Sequence, residues 1–178
     1  MTGLRQAARS PASLVAILAL VAGACTAKAA TDVLAPVRFA KGPGWHVGVS
    51  KVEACPGARA SQCSQVASWA STAPWRDCAE CAGADKTLRS IGRDGIVIYL
   101  SLARERFRYP NALRWPPRIR AGEVLSPIEG HAARFGLFSR SGRLRGLSAA
   151  LYVWFGRPHP TARQLARAEA ELRTARLP

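Results

Sequence analysis

The sequence predicts an α+β fold: a mostly antiparallel sheet with a C-terminal helix packed on it, and one short helix in the cysteine-containing N-terminal half. Three observations lead there. The run Ile96-Val97-Ile98-Tyr99-Leu100 follows the turn signal Asp94-Gly95 and is rich in β-branched residues, so it reads as a central strand. Alternating apolar residues flank a short polar break, Ser139-Arg140-Ser141-Gly142-Arg143, which is the pattern of a β-hairpin. Leu165, Ala168, Leu172 and Ala175 recur every three or four residues, a narrow apolar stripe on a helix whose other positions hold mainly Arg, Glu and Ala.

Residues 1–24 read as a signal peptide. Arg5 and Arg9 form a positive end, and an unbroken apolar run from Leu14 to Ala24 follows, closed by small residues. Positive flanks stay on the cytoplasmic side, so the rest of the chain is expected to cross. Ala22-Gly23-Ala24-Cys25 has the form of a bacterial lipobox, with Ala22 where the pattern prefers leucine. Cleavage after Ala27-Lys28-Ala29, or retention of the apolar stretch as an anchor, are the alternatives. The chain has five cysteines, and lipidation of Cys25 leaves an even number to pair.

Residues 25–44 read as a tether, with Pro36, Gly42, Pro43 and Gly44, and residues 45–178 as one globular α+β domain. Cys55, Cys63, Cys78 and Cys81 follow, and in an oxidising compartment disulfides are expected, each contributing about 2–3 kcal/mol on closing such short loops. Three connectivities satisfy the count. Cys78-Ala79-Glu80-Cys81 has redox spacing, but it sits in loop-like sequence, and Asp77 and Glu80 beside it would raise a thiol pKa. A zinc ribbon would need a second C-x-x-C knuckle, whereas Cys55 and Cys63 are eight apart.

Within the domain, Trp45, Val47 and Val49 alternate with His46, Gly48 and Ser50 as a half-buried strand. Val66, Trp69 and Ala70 fit one face of a short helix between residues 61 and 71. Residues 104–120, with prolines at 110, 116 and 117, read as an irregular surface excursion, and Ala121 to Leu125 as an edge strand. Ala133, Phe135 and Leu137 form one arm of the hairpin. Leu147, Ala149, Leu151, Val153 and Phe155 form the other. Thr161-x-x-Gln164 is a capping box for the terminal helix, whose stripe must be buried against the hairpin sheet.

Asp94-Gly95-Ile96-Val97-Ile98, then Val153-Trp154-Phe155-Gly156 with Pro158, Pro160 and the helix ending Glu171-Leu172 to Leu177-Pro178, resembles a recurrent exported domain of high-GC actinobacteria. The resemblance covers about half of the chain and its motifs are structural. It implies an exported domain, no established activity and no functional residue.

Charge is lopsided. Residues 31–95 hold 8 basic and 6 acidic residues, whereas residues 96–178 hold 15 and 5. The C-terminal half therefore projects a positive field. The candidate surface is Arg104, Arg106, Arg108, Arg114, Arg118 and Arg120, interleaved with Phe107, Tyr109 and Trp115. Basic and aromatic residues together bind single-stranded nucleic acid in some proteins, but outside the cytoplasm anionic lipid or cell-wall polymer is the expected partner. The bland alternative is that arginine merely fills solvated positions.

Catalytic signals are weak. His46, His131 and His159 are scattered, and Glu129-Gly130-His131 is an acid–base pair only by proximity. Ser148 faintly resembles a nucleophile elbow but lies inside an alternating strand instead of a strand-to-helix turn. There is no phosphate-binding or dinucleotide fingerprint, and no metal or cofactor is expected. The sequence thus points to an exported, membrane-tethered envelope domain with a binding or structural role. A small hydrolase or a thiol oxidoreductase is the alternative.

Overall fold

A computed structural model describes residues 34–51, 64–76, 85–104, 109–125 and 134–178. The leader, Cys25 and the four later cysteines lie outside them, as do Arg106, Arg108, Glu129 and His131.

Ile96–Arg104 is buried along nearly its whole length, so it needs cover on both faces and both edges. It takes the middle of a five-stranded antiparallel sheet. In chain order the strands are β1 (His46–Lys51), β2 (Ser64–Ser71), β3 (Ile96–Arg104), β4 (Gly136–Leu144) and β5 (Leu147–Phe155). In space the order is β1-β2-β3-β5-β4. Helix α1 (Asp85–Ser90) precedes β3, and helix α2 (Ala162–Thr174) ends the domain.

Strand periodicity sorts the side chains into two unlike faces. On the first, Ile96, Ile98, Leu100 and Leu102 of β3 lie in register with Phe155, Val153, Leu151 and Ala149 of β5. Phe138 and Leu144 of β4 extend this layer, and Ala168 and Leu172 of α2 are fully buried against it. Each such large aliphatic side chain contributes about 1.5–3 kcal/mol on burial. The Thr161–Gln164 capping box forms as the spacing predicts. The Thr161 hydroxyl accepts from Gln164 N–H at 3.2 Å, and Gln164 Oε1 accepts from Thr161 N–H at 3.0 Å. Gln164 Nε2 also donates to the Arg93 carbonyl, fixing the first turn of α2 to the turn before β3.

The second face is aromatic and small. Trp69, Tyr99 and Tyr152 are in register across β2, β3 and β5. Trp75 stacks on Trp69 at 4.5 Å, and Trp154 stacks beside Tyr152 at 5.5 Å. Leu88, Ile91 and Phe135 cover Val97 at one end. Buried Thr87 of α1 accepts the Arg76 N–H at 2.9 Å, which holds the chain after Trp75 on this face.

Four expectations need correction. Residues 64–71 are strand β2, not a helix: Val66, Ser68 and Ala70 face the α2 side while Gln65, Ala67 and Trp69 face the other. A ladder along the whole of β3 outweighs a helical spacing carried by three residues. The short helix is α1 instead. Ala121–Glu123 is a 3₁₀ turn, because the Glu123 carboxylate accepts the Arg120 N–H and tightens the chain; only Leu125 pairs with β4, through two hydrogen bonds to Leu137. The hairpin stands, but its turn is Arg145-Gly146, both with positive φ, as a two-residue primed turn requires. The polar Ser139–Arg143 belongs to β4. Finally, residues 34–44 are not a free tether. Val37 and Phe39 are buried in the core, and Arg38 exchanges two backbone hydrogen bonds with Arg176.

Candidate anionic-surface interface

Pro116 and Pro117 forbid a helix, and each proline pushes the residue before it towards extended backbone. The segment 109–125 is therefore a non-helical strap, bent at residues 115–116 and closed by the 121–123 turn, and its two ends lie on the outer side of β4. It begins where Leu113 N–H donates to the Arg143 carbonyl and Arg143 N–H to the Asn111 carbonyl, both at 2.8 Å. In its middle the Ile119 N–H donates to Glu169 Oε1 of α2 at 2.8 Å. It ends at the Leu125–Leu137 bridge.

An extended chain alternates its side chains, and the strap uses this in one direction. Leu113, Trp115, Pro117 and Ile119 turn inward, with Leu113, Trp115 and Ile119 packed on the core. Arg114, Arg118 and Arg120 are exposed. At roughly 3.3 Å per residue, Arg118 and Arg120 stand about 6–7 Å apart along the strap. The ion pairs among the described residues join Arg140 to Glu123 at 2.5 Å, Arg157 to Asp94, and Arg173 to Glu169 at 3.8 Å. Arg114, Arg118 and Arg120 take no part in them. The carboxylates beside the strap among the described residues are thus already engaged: Glu123 by Arg140, and Glu169 by Ile119 and Arg173.

Of the six arginines expected at this surface, the structure places three on the strap and Arg104 at the exposed end of β3. Arg104 follows Ala103, which is in register with Ser148, and Ser148 with Arg143, where the strap begins. Strand spacing puts it about 14 Å from the strap, at the same end of the sheet. Arg106 and Arg108 lie outside the described residues. Two further residues join the surface from β4. Arg143 is exposed, and Arg140 lies over the Phe138 ring at 5.4 Å. Sequence reasoning missed both because it read the polar Ser139–Arg143 as a turn. The useful signal was Gly142, whose backbone lies under the strap: a Cβ there would sit 2.9 Å from Leu113 N.

The catalytic candidates do not converge. Ser148 is buried near the start of β5 between Ala103 and Arg143. His46 is exposed on β1, and His159 is exposed between Pro158 and Pro160. Glu129 and His131 are outside the described residues. The Tyr99 phenol is pushed above its ordinary value by burial and then by Tyr152 beside it, so it stays protonated at neutral pH. Among the described residues, every buried side-chain nitrogen or oxygen has a hydrogen-bond partner. No helix among them is long and apolar enough to cross a membrane.

Taken together, the fold and this surface define a small α+β domain, an antiparallel sheet clamped by a terminal helix and bordered by an arginine strap. No family model, no curated protein and no solved structure matches the chain.

Proposed function

We propose that the chain is an exported, membrane-tethered envelope domain that binds an anionic surface through the strap and performs no catalysis. One observation carries the reading. The strap spends its inward positions on Leu113, Trp115, Pro117 and Ile119 and its outward ones on Arg114, Arg118 and Arg120, none of which has an ion-pair partner among the described residues. Guanidinium groups held this way bind phosphate or carboxylate without first breaking an internal bridge. The leader at residues 1–24 and Cys25 supply the tether in this reading, and Arg104 widens the surface at one end.

Co-sedimentation tests it, using vesicles of phosphatidylglycerol, vesicles of neutral phosphatidylcholine, and isolated anionic wall polymer. Binding to one of the anionic targets at low salt, falling steeply as salt rises, is the expected result. Replacing Arg114, Arg118 and Arg120 together by Ser should weaken it roughly 100-fold, at about 1 kcal/mol per arginine near a charged surface. Equal binding by the triple variant, or no binding at low salt, would remove the proposal.

A further inference from the structure

Strand β1 forms the other border of the sheet. Its inner side pairs with β2 from His46 through Lys51. Among the described residues, none hydrogen-bonds to its outer side. A row of backbone N–H and C=O groups facing outward is a template for one more strand. Proteins usually blunt such an edge with a proline, a bulge or several charged side chains. Strand β1 contains no proline, its register with β2 runs without a bulge, and Lys51 at its last position is its one lysine or arginine.

The side chains favour an added strand too. Val49 is 44% exposed on the α2 side of the sheet, opposite buried Ser68, whose short side chain cannot shelter it. On the other side Gly48 is overlain by the Trp69 ring, which leaves a flat aromatic surface next to the edge. An incoming strand could thus bury an apolar residue against Val49.

Charge decides what kind of strand fits. Residues 34–51 and 64–76 contain no Asp or Glu, and the Glu171 carboxyl that acts on Arg167 is buried. At the start of β1 the Arg167 guanidinium lies 5.2 Å over the Trp45 ring and donates to the Gly44 carbonyl at 3.1 Å, and exposed Lys41 stands just before them. A second copy of this chain would bring like charge to like. An acidic segment would be drawn in.

We infer that the outer edge of β1 receives an extended acidic segment of a partner protein as a sixth strand, with its carboxylates beside Lys41 and Arg167. This site is separate from the strap, which lies across the sheet on β4, and its test is independent of anionic-surface binding.

The test uses the purified full-length chain and a synthetic peptide, Val-Thr-Val-Thr-Val-Glu-Glu-Glu, with a Lys-tailed peptide of the same apolar pattern as its counterpart. Binding of the acidic peptide should slow hydrogen exchange of β1 amides, and the Lys-tailed peptide should bind at least about tenfold more weakly. Val49→Glu should cost about tenfold in affinity for the acidic peptide. Lys41→Glu, at an exposed position outside the sheet, should narrow the preference between the two peptides while the fold stays intact. Three results would overturn the inference: equal binding of both peptides, no change in β1 exchange at saturating acidic peptide, or protection of β1 in the free chain together with a dimeric mass. The last would assign the edge to a second copy.

Discussion

Strand β4 has a neighbour on its outer side, and β1 among the described residues does not. Along β4 the strap contributes hydrogen bonds at both ends, an anchor to α2 in the middle and a row of inward apolar side chains. Along β1 the outermost apolar side chain, Val49, is nearly half exposed. The difference shows that a sheet edge can be closed by a chain with little regular structure of its own. What closes β4 is side-chain alternation in a proline-held segment, and the same alternation projects the arginines outward. Closure and surface charge are therefore two results of one conformation.

The largest expected effect breaks the closed edge. Ile119 is 4% exposed and holds the strap to the core beside the Glu169 hydrogen bond. Ile119→Ala should cost about 2–5 kcal/mol, the range for emptying a packed aliphatic site. Val49→Ala on the open edge should change stability by less than about 0.5 kcal/mol. Urea unfolding of both variants checks the pair, and equal losses would mean that the two edges are not different in kind. Because the outward arginines depend on the same conformation, Ile119→Ala should also weaken binding to anionic vesicles, though it removes no charge.

A smaller effect sharpens the account of the open edge. A Cβ at Gly48 would lie 2.5 Å from the Trp69 ring. Gly48→Ala must displace that ring, and with it the stack on Trp75, at a cost of about 1–3 kcal/mol for overpacking. Near-ultraviolet circular dichroism should lose intensity from the Trp69–Trp75 pair. An unchanged spectrum would show that the flat surface beside β1 does not depend on the glycine.

These two edges also show where sequence reasoning succeeds. Strand β3 was readable because Ile96 to Leu100 is an unbroken apolar run, and α2 because its cap and its stripe agree. Strand β2 was not, since Val66, Trp69 and Ala70 suit a helix face as well as the two sides of a strand, and only pairing with β3 decides between them. The hairpin was readable but its turn was misplaced. Arginine at a positive φ carries no composition signal, while the polar stretch before it does. The strap's arginines stood out by number, but its prolines suggested disorder of direction where they in fact enforce alternation. The aromatic layer was invisible because Trp69, Trp75, Tyr99, Tyr152 and Trp154 are far apart in the chain and meet only across strands or through a returning loop.

The least drastic test concerns the segment that leads into the open edge. Thr174 of α2 accepts the Ala40 N–H at 3.2 Å and donates to the Glu171 carbonyl at 2.8 Å, with the Glu171 carboxylate 3.4 Å away. Glu171 is buried, and burial pushes its carboxyl above the ordinary value of 4.5, with the Thr174 hydrogen bond and Arg167 pulling the other way. The folded chain thus holds this proton at a pH where the unfolded chain has released it. Stability must then fall as pH rises from 4.5 through the raised value, because the native state binds more protons across that window. Glu171→Gln keeps the shape and the hydrogen-bonding capacity but carries no charge. It should be more stable than the parent at neutral pH and should lack this part of the pH slope, as thermal unfolding at several pH values would show. The same replacement at half-buried Glu123 should instead remove a pair with Arg140 on the closed side, so its loss should shrink with added salt. If Glu171→Gln lowered stability at neutral pH, the carboxylate would be held as an anion by Arg167, and the approach to β1 would rest on an ion pair in place of a buried acid.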